Sequence, residues 1–245
     1  MPPTVSAPPA TESVVTPAPP KPVAGRRLYQ QVADQIRQLI QSGHYPVGKR
    51  LPPERDLAQL LGVSRPSLRE ALIAVEISGH VEIRGGSGLY ACLPSERAAP
   101  VVAALGESPS EVMQARAMLE SAVVTLAAAR TTPAALAKLR QCLDAMRMDL
   151  AHKRAPVDND RAFHVTIAEM TGNSVVVRIV SELFEERHSP LTSHVSVRAE
   201  TLRTWLMAVE EHEVVLRALE AREPQAAAAA MASHLRASEV RWLGT

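Results

Sequence analysis

The sequence predicts a mainly α-helical protein: an N-terminal winged helix-turn-helix domain followed by an all-α antiparallel helical bundle. Three observations carry that expectation. From Ser108 onward every long segment repeats its apolar residues at helical spacing, and none alternates with period two. Aromatic residues make up only 3% of the chain while alanine is abundant, which favours closely packed helices over a β-sandwich. Residues 53–92 read as helix, tight turn, helix and a short two-stranded wing.

Taken in order, residues 1–24 are rich in Pro, with Ala, Thr and Val between, and are expected to form a disordered tail. Residues 25–93 are assigned to the winged domain. Leu28, Val32, Ile36, Leu39 and Ile40 form one helical stripe, which Tyr45-Pro46-Val47-Gly48 ends. The next helix carries Leu57, Leu60 and Leu61 and stops at Gly62, a residue suited to a left-handed exit. Ser64 is the expected N-cap of the third helix, with Pro66 in the first turn, where its missing N–H costs nothing. Leu68, Leu72 and Val75 must face inward, which leaves Ser64, Arg65, Ser67 and Arg69 at the exposed end. After Gly79 the period switches to two, with Val81 and Ile83, a turn at residues 85–88, then Leu89 and Ala91.

Residues 94–107, with Pro94 and Pro100, are the expected linker to a second domain over residues 108–245. Ser108-Pro-Ser-Glu111 has the form of a capping box with proline at the first helical position. Helices are expected at about 109–130, 133–152, 158–171, 174–188, 203–221 and 224–242, with one more near 191–200. The first should face inward through Val112, Leu119, Val123 and Leu126, and the second through Leu136, Leu139, Leu143, Met146 and Leu150.

A recognition helix meets the major groove with its N-terminal end, where Arg65 and Arg69 can bond guanine bidentately. Ser64 and Ser67 suit phosphates, and the glycines of the wing tip permit close backbone approach to DNA. The ordered series LPPERDLAQLLGVSR, P, S, LREAL and then RGGSG resembles the winged-helix domain of the GntR family of bacterial transcription regulators. The likeness covers roughly residues 29–93. It implies operator contacts for Arg55, Arg65 and Arg69, with Ser64, Ser67 and Gly86 near phosphate or the minor groove. Pro66 departs from the Thr that many members carry.

The bundle carries a second signal. Asp160 and His164 lie four apart on one helix face that Ile167 continues. His212 falls in a stripe with Trp205, Val209, Leu216 and Leu219, and His234 falls with Ala227, Met231 and Ser238. One carboxylate and three imidazoles facing inward can bind a divalent transition metal, with Zn, Ni or Mn chemically suitable. Each histidine taken singly is more often a satisfied core residue than a ligand. The segments DRAFH, EEHEVVLRALEARE and MASHL resemble the FCD effector-binding domain of the FadR branch, over about residues 108–242. That resemblance implies Asp160, His164, His212 and His234 as metal ligands.

Arg116 sits on the inward stripe, where an unpaired guanidinium is expensive. It is read either as half of a buried salt bridge, for instance with Glu120, or as a clamp for an effector carboxylate. Within QARAMLE it matches an arginine of the family's E/Q-x-R-x-x-L-E motif. Asn173 is read as a helix cap, with an effector contact as the alternative, and Arg161, Arg178, His188 and His194 are further pocket candidates.

Several classes are excluded or demoted. The net charge of +1 rules out a diffuse nucleic-acid binder, although residues 26–97 hold ten Lys/Arg against seven Asp/Glu. Cys92 and Cys142 lack metal or disulfide spacing, which suits a reducing cytoplasm. No run is expected to reach bilayer-spanning length. No nucleotide loop or nucleophile motif accompanies the ligands, so an enzyme is not expected. The resulting expectation is a cytoplasmic homodimeric regulator, a repressor of palindromic operator DNA, controlled by a small carboxylate such as a sugar acid or hydroxy acid. A metal acting as the signal or only as a structural element is the alternative, with a metal-dependent hydrolase behind it.

Overall fold

A computed structural model describes residues 27–93 and 105–244; the expected proline-rich tail and most of the expected linker lie outside them. Ten α-helices and one two-stranded sheet appear among these residues. The first unit comprises α1 (Leu28–Gln41), α2 (Glu54–Leu61), α3 (Arg65–Ile77), β1 (Val81–Arg84) and β2 (Gly88–Ala91). The second comprises α4 (Pro109–Ala129), α5 (Pro133–Ala151), α6 (Val157–Met170), α7 (Ser174–Glu185), a 3-10 turn (Glu186–His188), α8 (Pro190–Ala199), α9 (Leu202–Glu220) and α10 (Pro224–Leu243).

Local chemistry accounts for the helix-turn-helix. Gly62 closes α2 at φ 66°, a left-handed position where a Cβ would be strained. Two residues later Ser64 caps α3, its side chain accepting from the Ser67 amide at 3.3 Å. Leu57, Leu61, Leu68, Leu72 and Val75 are all fully buried, in one core with Val32, Ile36 and Ile40 of α1. In the wing Val81 pairs with Ala91 and Ile83 with Leu89, so both strands lay their apolar faces on the same core.

This first core is closed by residues from the rest of the chain: Leu105, Leu191, Val195 and Leu243 are buried within it. Polar contacts follow the same seam. The buried Glu70 of α3 accepts from Ser108 Oγ (2.7 Å) and the Ser110 amide (2.8 Å), at the start of α4. Ser108 caps α4 by accepting from the Glu111 amide at 3.3 Å. Glu76 of α3 meets His194 (3.2 Å) and Arg198 (2.8 Å) of α8.

In the bundle α10 packs along α4 and α9, and α5 packs against α6 and α9. The buried face of α4 is not the one its branched residues suggest. Met113, Arg116, Glu120, Val123, Val124 and Ala127 point inward, whereas Leu126 is 42% exposed and Met118 73% exposed. Apolar residues surround this helix, so periodicity alone does not select a face. By length and composition α4 could also cross a membrane, contrary to the expectation that no run would. It holds the buried Arg116–Glu120 ion pair and packs in the bundle core.

Candidate metal centre and nucleic-acid interface

Three bundle helices bring the four expected ligands together. Asp160 and His164 come from consecutive turns of α6, His212 from the middle of α9 and His234 from α10. All four are buried, and one ligand atom from each lies within 4.8 Å of all the others. His164 Nε2 is 3.0 Å from His212 Nε2, and Asp160 Oδ1 is 3.3 Å from His212 Nε2. Ligands placed tetrahedrally about a zinc-sized ion lie about 3.3 Å apart. The donor set of three imidazole nitrogens and one carboxylate oxygen therefore fits a divalent transition metal.

A second layer orients the rings. His164 Nδ1 is hydrogen-bonded to Glu120 Oε2, and His234 Nδ1 to Glu211 Oε2 at 2.8 Å. A carboxylate on Nδ1 fixes the proton there and turns the Nε2 lone pair toward the centre. Burial would raise the Glu120 carboxyl, but the Arg116 charge and His164 outweigh it and hold its pKa at about 2. Burial pushes His212 well below its ordinary value, aided by the charges of His234 and His164. Burial likewise lowers His234, against its hydrogen bond to Glu211. Neutral imidazoles are the form that ligates a metal.

The cluster opens on a narrow cleft with about 40 Å³ of free space, lined by Met113, Arg116, Arg187, Glu200, Trp205 and Trp242, among others. Arg116 donates through Nε to Glu120 at 2.8 Å and stacks 3.9 Å from the Phe184 ring centroid. Its Nη2 is buried with no hydrogen-bond partner among the described residues. Both readings of this arginine thus retain a physical basis: Nε is paired and Nη2 is not.

Asn173 stands elsewhere. It caps α7, accepting from the amides of Val175 (3.0 Å) and Val176 (3.3 Å), and is exposed and absent from the cleft wall. Arg161 and Arg178 pair with Glu185 and Glu182 on the surface, and His194 lies in the seam with Glu76. Periodicity turned the four expected ligands inward but did not single out Glu211, Arg187, Glu200 or Arg241. The EEHE run, with Glu211 beside His212, was the available signal for the first of these.

In the first unit Arg55 and Arg65 are exposed on α2 and α3, and Ser64 Oγ lies 2.9 Å from Ser67 Oγ at the tip of α3. Gly86 forms the wing turn at φ 71°, with open space where a Cβ would stand. Arg69 is different. Its Nη2 bonds Glu54 at 2.9 Å and its Nη1 bonds the Leu243 carbonyl, so it is half-buried at the seam with α10.

Comparison with known proteins gives this arrangement a family. The model for bacterial regulatory proteins of the gntR family matches residues 28–90, and that for the FCD domain matches residues 111–237. The Exu regulon transcriptional regulator of Escherichia coli (strain K12) is 33% identical over 222 residues, covering 88% of this chain and 84% of that protein. The Uxu operon transcriptional regulator of the same strain is 35% identical over 223 residues, covering 86% of this chain and 85% of that protein. The solved structure of E. coli McbR/YncC shares the fold at a TM-score of 0.50 and 20% identity, over 89% of this chain and 98% of that one. The winged helix and the helical bundle therefore have one explanation: the chain belongs to the gntR family of bacterial regulatory proteins, FadR-type with an FCD domain, and is a DNA-binding transcription regulator rather than an enzyme.

Proposed function

We propose that this regulator is a cytoplasmic, homodimeric repressor whose hold on a palindromic operator is controlled by a small carboxylate, a sugar acid or hydroxy acid. Asp160, His164, His212 and His234 would hold a divalent transition metal, with Zn, Ni or Mn compatible with the donors. The single observation that carries the reading is the buried four-donor cluster opening on a cleft where Arg116 Nη2 has no partner. Such an ion offers open coordination positions to a carboxylate or hydroxyl oxygen. Arg116 supplies the second hold, one guanidinium edge donating to the acid while Nε stays on Glu120. The names of the relatives, regulators of the Exu regulon and the Uxu operon, accord with a sugar-acid signal.

In this reading Arg55, Ser64, Arg65, Ser67 and Gly86 face DNA, and Arg69 joins them once it is released from Glu54 and the Leu243 carbonyl. The outer face of α4 supports the dimer: Ala115, Met118, Ala122 and Leu126 recur at helical spacing, and Met118 and Leu126 are exposed. Small residues in such a stripe let a second copy of the helix approach closely, and a two-fold axis there pairs two winged heads. Coupling runs through the end of α10. A cleft of about 40 Å³ must widen to admit an acid, and Arg241 and Trp242 form part of its wall. The next residue, Leu243, holds Arg69 through its carbonyl.

The test is metal content and operator binding measured on the same samples. Wild type should carry about one equivalent of metal per chain, and His212→Ala should carry almost none while still binding operator in the absence of acid. Full metal retention in His212→Ala would place any metal elsewhere and remove the basis of the proposal.

A further inference from the structure

The cleft contains more charge than an acid clamp requires. Arg187, on the 3-10 turn, contacts both carboxylate oxygens of Glu200 through Nη2, and its guanidinium lies 5.5 and 5.2 Å from the ring centroids of Trp205 and Trp242. Arg241 forks onto Glu211 at 2.6 and 2.9 Å, and donates to Ser238 Oγ at 2.8 Å. That leaves the Ser238 O–H able to donate into the cleft, which it lines.

The balance of these charges constrains the ligand. Arg116, Arg187 and Arg241 face four carboxylates: Glu120, Asp160, Glu200 and Glu211. A divalent cation on the cluster turns this deficit into a single net positive charge. One carboxylate then neutralises the site, and a second leaves an uncompensated charge where water is scarce, which is expensive. Glu200 has lone pairs beyond the two contacts of Arg187, and these accept only from O–H or N–H donors. An alkyl chain placed there leaves the spare lone pairs of Glu200 and the Ser238 O–H without a partner, and buried polar groups left unpaired give strong discrimination. The flat faces of Trp205 and Trp242 suit the C–H side of a sugar ring.

We infer that Arg187, Glu200 and Ser238 form a subsite for the hydroxylated end of the acid, making the site selective for one carboxylate and several hydroxyls. This rests on the acid-binding reading above. Titration calorimetry of the full-length, metal-loaded protein with three six-carbon acids tests it: glucuronate, glucarate and hexanoate. Glucuronate should bind at least tenfold more tightly than either of the others. Glu200→Gln adds one net positive charge, so it should shift the glucuronate-to-glucarate ratio by about tenfold toward glucarate, with metal content unchanged. Ser238→Ala, which keeps every charge, should weaken glucuronate about threefold and leave hexanoate unaffected; it stands in if Glu200→Gln fails to fold. Equal binding of glucarate or hexanoate, or ratios unmoved in the variants, would overturn the subsite while leaving an acid sensor. Absence of heat with all three acids would overturn the acid reading and the subsite together.

Discussion

The tip of the recognition helix and the histidine cluster are both sets of polar side chains held by helices, yet they are assembled in opposite ways. Ser64, Arg65 and Ser67 come from one short stretch, need only the Ser64 cap and the Gly62 turn, and lie at the surface. Asp160, His164, His212 and His234 come from three helices and are buried, and His164 and His234 are oriented by Glu120 and Glu211. A contiguous exposed site can lose a side chain without the fold noticing. A buried one cannot, because each group removed leaves a partner stranded. Arg69 bridges the two regions, with its position on the recognition helix and its hydrogen bond to the end of α10.

The sharpest way to break this contrast is Arg116→Ala. It leaves the Glu120 carboxylate buried beside His164, and breaking such a pair costs about 3–5 kcal/mol. The melting temperature should fall by roughly 10 °C. Arg116→Met combined with Glu120→Gln should recover most of that loss but not the acid response. A single variant as stable as wild type would mean that the pair is not buried as described.

Arg65→Ala should do the reverse. Operator affinity should drop by about 1–3 kcal/mol, with melting temperature and metal content unchanged. Undiminished binding in a gel-shift titration would remove Arg65 from the interface.

Acidification probes the buried region alone. His212 and His234 have folded pKa values below the ordinary 6.5, so they stay neutral in the folded chain while the unfolded chain takes up protons. Their contribution to stability is therefore present above pH 6.5 and lost as pH falls toward the folded values, by up to about 1.4 kcal/mol per pH unit for each. Urea melts of metal-stripped protein between pH 7.5 and 5.5 should show this decline, and His212→Asn should reduce its slope. A flat profile would contradict the burial of these rings.

The smallest effect belongs to Arg55. Its side chain is 87% exposed and its contact with Asp56 is 3.4 Å long, so Arg55→Ala should leave stability unaltered. Operator affinity should weaken by less than about 1 kcal/mol, and the slope of log affinity against log salt should drop by about one unit. A larger, salt-independent loss would instead mark Arg55 as a base reader.

The contrast also explains what could be read in advance. Ser64, Ser108 and Asn173 were legible as caps because capping chemistry is local. The burial of Asp160, His164, His212 and His234 was legible because each shares a helical stripe with apolar neighbours that must be buried. The face of α4 was not, since Val112, Leu119 and Leu126 compete with Met113, Val123 and Ala127 for the inward position. Only the packed partner α10 decides between them. Arg187 and Glu200 lie thirteen residues apart in segments without strong periodicity, so nothing in the sequence joins them before α8 folds back. Arg69 looked like its exposed neighbours because its partner Leu243 lies 174 residues away.

The most direct test of the central claim is thermal unfolding of metal-loaded and metal-stripped protein across increasing concentrations of a sugar acid such as glucuronate. A ligand that binds only the folded state raises the melting temperature with its concentration. The account predicts a rise in the metal-loaded wild type that disappears on stripping the metal and in His212→Ala. An identical rise with and without metal would contradict it, because the acid would then be held away from the Asp160, His164, His212 and His234 cluster.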